Sequence, residues 1–295
     1  MSALRLLTLC TLVPVLAIAM TQTDRADYSA VARITILPDL EPEPVQPPSA
    51  RTASTGSDED AATEVVFPNP APGNRAAFAA LRLKAGLSQD MLRHFDLFLY
   101  VSKARSGPLA QRMMVFRKEG AEDLSLVHDW AASTGREQQE VSPRGRRAFT
   151  ATPRGYYQID PQRMYRSYHS YNWDQPMPHA MFFNWERKGL QTGLAIHATS
   201  AQSLERLGRR ASAGCVHLAP GNAELLFNLI RHEYRGQVPR FAYDAASRTT
   251  SNRGAFMRDG KGRLKMADGY RVLVFIEDYG GKNVVAALDD SSNPL

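Results

Sequence analysis

From Leu37 to Glu64 the chain reads LPDLEPEPVQPPSARTASTGSDEDAATE, a run rich in Pro, Ser, Thr and acids with almost nothing to bury. Such a segment cannot repay the entropy of ordering its backbone, so it predicts a disordered linker and confines the hydrophobic core to the chain that follows. The whole sequence has 295 residues, 43% apolar and 22% charged, which leaves enough length for one good core. Within the linker seven acids (Asp39, Glu41, Glu43, Asp58, Glu59, Asp60 and Glu64) face only Arg51, a net charge of −6. From Val65 onward 32 Lys and Arg face 21 Asp and Glu, so the folded part carries +11, well above the +6 of the whole chain. That charge suits an anionic partner, and it equally suits simple solubility.

The start of the chain has the pattern of an export signal. Met1 to Arg5 supplies one positive charge, and an apolar run from Leu6 to Ala19 ends in Ala17-Ile18-Ala19, a small-x-small cleavage site. The run is shorter than the roughly 20 residues of a membrane-spanning helix, so a cleaved signal is favoured over an uncleaved anchor. The expected organisation is a signal over 1–19, a linker over 20–75, a folded domain over 76–280 and a tail over 281–295. Export makes nucleic acid a poor partner and leaves cell-wall polymer or an anionic membrane surface. Of the two cysteines, Cys10 lies inside the apolar run, with Leu9 before it where a lipoprotein signal would carry a small residue. Cys10 leaves with the signal, Cys215 stays, and the mature chain cannot close an internal disulfide.

Periodicity gives a mostly extended domain. Ala76 to Leu92 reads as a helix, with Phe78, Leu81, Leu83 and Leu87 among alanines. Short strands follow at Leu97–Ser102, Arg112–Arg117, Leu124–Ala131, Gly155–Ile159, Ala180–Asn184 and Gly193–His197, separated by Gly, Pro, Ser and Asn. Ser200 to Leu207 suggests a helical turn. A second helix is read from Asn222 as N-cap, with Leu225, Leu226, Leu229 and Ile230 as its apolar stripe and Gly236 beyond its end. An irregular excursion from Asp244 to Gly269 precedes a last strand at Tyr270–Ile276.

The chemistry gathers between Gly193 and Leu218. His197 ends a short apolar strand, and Ala211-Ser212-Ala213-Gly214 lets the main chain bend tightly just before Cys215. Such a bend can aim N–H groups at a developing oxyanion, each donor worth about 3 kcal/mol of barrier. Cys215 would be the nucleophile and His197 its base, with an imidazolium beside the thiolate, since a thiol of ordinary pKa about 8.5 is mostly protonated at neutral pH. The opposing reading makes Cys215 a small core residue and His197 a strand-end cap. A zinc site from His197, Cys215 and His217 is a third, but the chain lacks the paired spacing that marks one. No metal or cofactor is called for. Met177, His179 and Phe182 read either as cleft lining or as core before a buried strand.

At these residues the sequence resembles the catalytic domain of the L,D-transpeptidases, cysteine enzymes that cross-link peptidoglycan. Their signature is a histidine, some fifteen residues, then Ser or Thr, usually His, then Gly-Cys, an apolar residue and commonly Arg or Asn. Here it is His197 followed by Ser212-Ala213-Gly214-Cys215-Val216-His217. Ser133-Thr134-Gly135 is similar to the family's S-T-G, Thr152-Pro153-Arg154-Gly155-Tyr156 to its T-P-x-G-aromatic turn, and Met177 to Phe183 to its M-P-aromatic segment. The blocks span roughly Asp96 to Tyr234. Three positions depart: Ala213 stands where many members have a second histidine, His217 where Arg or Asn is usual, and Ala198 where Gly often follows the histidine. A neutral imidazole at 217 cannot offer the bidentate grip of a guanidinium.

The resemblance implies a mainly β, compact, two-sheet sandwich-like domain with a few helices. It also implies acyl transfer from a tetrapeptide stem through a Cys215 thioester to an amine acceptor, with release of D-Ala and His197 as general acid and base. Ser212 and Gly214 would shape the loop and oxyanion site, while His217, His179 and Met177 would contact substrate. The partners are peptidoglycan stem peptides, and the basic surface that includes Arg144, Arg146, Arg147, Arg206, Arg209 and Arg210 suits an anionic wall polymer or equally a solvated charged face. Arg209 and Arg210, nearest Cys215, would also lower its pKa. The compartment is periplasmic or wall-associated, and the family's cysteine is characteristically susceptible to carbapenems. Three alternatives are a degenerate relative that binds peptidoglycan without chemistry, a hydrolase, and a lipoprotein-anchoring enzyme. Oligomeric state is not legible.

Overall fold

The computed structural model describes residues 75–280 apart from 122, 247, 251 and 252. The signal, nearly all of the linker and the tail expected from sequence lie outside the described residues. Eight strands form the main sheet: β1 (Leu97–Ser102), β2 (Arg112–Glu119), β3 (Asp123–Ala131), β4 (Gly155–Tyr165), β5 (Ala180–Phe183), β6 (Ala195–Ala198), β7 (Val216–Leu218) and β8 (Val272–Glu277), in the order β7-β6-β5-β4-β8-β1-β2-β3. Neighbours are antiparallel except β1 with β8 and β6 with β7.

Strand β4 divides this sheet into two leaves. Its first half pairs with β8 from Gly155↔Ile276 to Gln158↔Leu273, and its second half pairs with β5, Met164↔Met181 and Tyr165↔Ala180. Between them the register to β5 shifts. Pro161, which has no N–H to give the ladder, sits in that irregularity. Asp160 closes the bulge by accepting from Arg163 Nε at 2.6 Å and from the Gln162 N–H at 2.9 Å. Sequence reading stops this strand at Ile159; the structure carries it on to Tyr165, because a proline at a bulge bends a strand without ending it.

Alternation sorts the side chains into separate cores. Leu97, Leu99 and Val101 of β1, Val272, Val274 and Ile276 of β8, Ile196 and Ala198 of β6, and Val216 and Leu218 of β7 share one core with Ala223, Leu226, Phe227 and Ile230 of α3 (Pro220–Glu233). Each such aliphatic side chain, fully buried, contributes about 1.5–3 kcal/mol. Phe98 and Tyr100 point the other way, under Phe78, Leu83 and Met91 of α1 (Arg75–Gly86) and α2 (Gln89–His94). The single helix expected over Ala76–Leu92 is two, because Ser88 caps the second one by accepting the Met91 N–H at 3.2 Å. Helix α3 starts at Pro220, before the expected Asn222 cap, since proline at the first helical position gives up an N–H that had no partner there. It closes at Tyr234, short of Gly236. The excursion before the last strand contains Thr249–Thr250 and Met266–Tyr270 as strands. The domain is mainly β with few helices, as expected.

Candidate active site

Strands β6 and β7 run parallel in register, Ile196 beside Val216 and His197 beside His217. Ile196 and Val216 face the central core, so the residues one step away in each strand, Ala195, His197, Cys215 and His217, face the opposite side of the leaf. Ala195 packs there with Met177, Ala180 and Phe182, and Cys215, Tyr165 and Tyr168 lie against that cluster. The half-buried Cys215 is a thiol, not a disulfide, and its Sγ lies 3.6 Å from the Gly193 carbonyl.

The imidazole of His197 is buried, with 2% of its surface exposed. Nδ1 lies 2.8 Å from the Ala198 carbonyl, an acceptor, so Nδ1 carries the proton and Nε2 presents a lone pair. Among the described residues Nε2 is buried without a hydrogen-bond partner. Burial pushes the pKa down to about 4, against the smaller upward pull of the Ala198 bond. At neutral pH the ring is therefore an uncharged base, and the imidazolium expected from sequence is not its resting form. His217 lies with its ring centroid 4.4 Å from that of His197, inclined at 60°. Burial, then His197 and Arg136, hold its pKa well below the ordinary value. Two adjacent neutral imidazoles result.

The loop before the cysteine is held by hydroxyls. Ser212 Oγ accepts the Gly214 N–H at 3.0 Å and donates to the Cys215 carbonyl at 2.5 Å. The Gly214 N–H is thus engaged within the loop. Gly214 adopts a φ of 130°, and a Cβ there would stand 2.9 Å from the Ala151 carbonyl oxygen, so glycine is required. The strand Arg210–Ser212 pairs with Thr134–Gly135, bringing the S-T-G block beside the loop.

Met177 belongs to the cluster around Cys215, but His179 does not. Its ring lies 5.6 Å from Phe227 of α3, and its N–H donates to the Arg166 carbonyl at 2.9 Å. Arg210 does not serve as a spare cation either. It pairs with Glu137 and with Asp278 at 3.0 Å and donates from Nε to the Lys103 carbonyl at 2.8 Å. On the His217 side a pocket opens between Ser212-Ala213 and Trp173, with Arg136, Gln175, Ser203 and Arg206 in its wall. Arg136 is committed to Glu140, and donates to the Ala211 carbonyl at 2.6 Å. Tyr165 escaped sequence reading because the strand was stopped at Ile159, and Tyr168 lies just beyond that strand's end. Trp173 lies in the turn of a short hairpin and Gln175 opens its return strand, where sequence carries no periodic signal.

These elements can do nucleophilic acyl chemistry: a thiol at the head of a strand, a neutral imidazole acceptor on the same face, and a main-chain bend locked by side chains. A family model described as the L,D-transpeptidase catalytic domain, YkuD, matches residues 105–266. Among solved structures, an L,D-transpeptidase from Xylanimonas cellulosilytica DSM 15894 is 17% identical over 70% of this chain and 70% of its own, with a TM-score of 0.34. The LD transpeptidase LdtMt1 in complex with imipenem is 15% identical over 62% of this chain and 59% of its own, at 0.35. An L,D-transpeptidase from Mycobacterium tuberculosis H37Rv is 15% identical over 62% of this chain and 58% of its own, at 0.33. The chain therefore spans under two thirds of the latter two. No curated protein matches. With more than half of its length matched by that model, the chain belongs to the L,D-transpeptidase catalytic-domain family.

Proposed function

We propose that this chain is an active peptidoglycan L,D-transpeptidase working through Cys215 and His197, on stem peptides such as the family uses. The observation that carries the reading is the pairing of β6 with β7. It sets a neutral His197 with a free Nε2 lone pair on the same sheet face as Cys215.

In the first half-reaction His197 Nε2 takes the thiol proton as Sγ bonds to the carbonyl carbon of the third stem residue. Collapse breaks the C–N bond to the terminal D-Ala, whose amine leaves with the proton from Nε2, and a thioester remains. In the second half-reaction an acceptor amine attacks the thioester, His197 removes its proton, and the thiol is restored. Met177, Tyr165 and Tyr168 wall the cysteine and keep bulk water from the thioester. Ser212 holds the loop, and His217 faces substrate as a neutral group.

Export to the periplasm or wall, through the signal-like start, belongs to the same proposal. The exposed members of the basic set, Arg144, Arg147, Arg206 and Arg209, would meet an anionic wall polymer. The test is to incubate the chain with a carbapenem and read intact mass, with Cys215→Ala as control. An increase on the wild type alone supports the reading. No adduct, with the Cys215 thiol still titratable, would falsify it.

A further inference from the structure

Three sequence blocks that lie far apart in the chain meet at one buried hydroxyl. Thr152 Oγ1 accepts the Gly135 N–H at 2.8 Å and donates to the Gly214 carbonyl at 2.6 Å, and Thr152 itself is fully buried. The contact is backbone-close on both sides. A Cβ on Gly135 would stand 2.1 Å from the Thr150 carbonyl oxygen, and one on Gly214 would stand 2.9 Å from that of Ala151. Thr152 is itself fixed, held extended by Pro153 and bound at its own carbonyl by Lys103 Nζ at 2.8 Å.

The Gly214 carbonyl belongs to the peptide plane that leads into Cys215, and the Cys215 carbonyl, held by Ser212 Oγ at 2.5 Å, belongs to the plane that leads out. The two hydroxyls therefore clamp the planes on either side of the nucleophile. All described peptides are trans, so holding the Gly214 carbonyl also sets the direction of the Cys215 N–H. We infer that Thr152 is a positioning residue for acyl transfer: its hydroxyl aligns the Gly214–Cys215 peptide, and with it Sγ and the Cys215 N–H, for attack on the carbonyl. This rests on the proposed function of Cys215.

The test uses the full chain as wild type, Thr152→Val, Thr152→Ala and Thr152→Ser. Two rates are read on the Cys215 peptide by mass spectrometry, since Cys10 is a second thiol. The first is acylation by a carbapenem, in which the Sγ–C bond forms, the lactam C–N bond breaks and the ring nitrogen takes the proton. The second is alkylation by iodoacetamide across pH 6 to 10, which needs a thiolate but no aligned carbonyl. The valine variant is expected to acylate about tenfold or more slower, the scale set by a misaligned reacting group. Its alkylation rate and pH profile should stay within about twofold of wild type, and Thr152→Ser should restore acylation.

Acylation of Thr152→Val at the wild-type rate would overturn the inference, and so would equal slowing of both reactions. If the valine variant does not fold, the alanine variant decides by the same criteria. Failure of both to fold makes the hydroxyl a stability requirement and overturns the positioning role. A wild type that alkylates but takes no carbapenem adduct fails the proposed function instead, so the two failures are distinct.

Discussion

At the residue scale the site is governed by desolvation. His197 and His217 sit side by side, and among the described residues no carboxylate pairs with either ring, so burial keeps each neutral, and two neighbouring imidazoles resist becoming charged together. The Ala198 carbonyl settles the tautomer of His197 and so makes it the base, whereas among the described residues His217 Nε2 has no hydrogen-bond partner. His197→Ala is accordingly expected to reduce carbapenem acylation at least about 100-fold, the usual worth of a positioned base. His217→Arg should leave acylation intact or improve it, by supplying a guanidinium to a carboxylate. Acylation loss in His217→Ala as large as in His197→Ala would reverse these roles. The same burial ties stability to pH. With a folded pKa of about 4 against the ordinary 6.5, His197 binds protons more readily in the unfolded chain between those values. Its stabilisation is present above pH 6.5 and lost as pH falls to about 4, on the order of 3 kcal/mol. Urea midpoints at pH 7 and pH 4.5 should fall further in wild type than in His197→Gln; an equal fall in both would place the acid sensitivity elsewhere.

At the scale of elements, what could be read from sequence was what lies in one short local run. Short apolar runs bounded by turn residues, Leu97–Ser102 and the one ending at His197, located β1 and β6, while of the stripe expected on α3 Leu226 and Ile230 are buried, Leu225 is 42% exposed, and Phe227 takes a core place instead. What escaped was decided by single residues against the pattern: Ser88 splitting a helix, Pro161 bending a strand that was read only as far as Ile159, Pro220 starting a helix early. Cys215, His197 and the Ser212 loop were legible because they lie within one short stretch. The support beneath them was not, because it joins loops with no shared period. Lys103, buried after β1, pairs with Glu137 and bonds the Thr152 carbonyl, while Arg210 pairs with Glu137 and Asp278. Removing one member of a buried ion cluster leaves its partner's charge poorly compensated. Lys103→Met should cost about 3 kcal/mol by urea unfolding. A cost below about 1 kcal/mol would mean that Arg210 alone neutralises Glu137.

At the scale of the whole molecule, the question is whether the leaf bearing the nucleophile can open without the other. Strand β4 belongs to both leaves, and the largest core takes Leu97, Leu99 and Val101 from one and Ile196, Ala198, Val216 and Leu218 from the other, with α3 packed on the same core. Opening β6 and β7 alone would expose the apolar side chains of β1 and β8 that face them, so partial unfolding carries nearly the cost of the whole. Unfolding of residues 75–280 is therefore expected to be one cooperative transition, with the urea midpoint from circular dichroism matching that from pulsed alkylation of Cys215. Leu99→Ala is the sharper test, because Leu99 is fully buried in the first leaf, away from the cysteine. Its loss should cost about 2–5 kcal/mol and move both midpoints together. If alkylation of Cys215 kept its wild-type midpoint while circular dichroism shifted, the leaves would be independent, and the nucleophile's alignment would depend only on its own strands and the Thr152 contact.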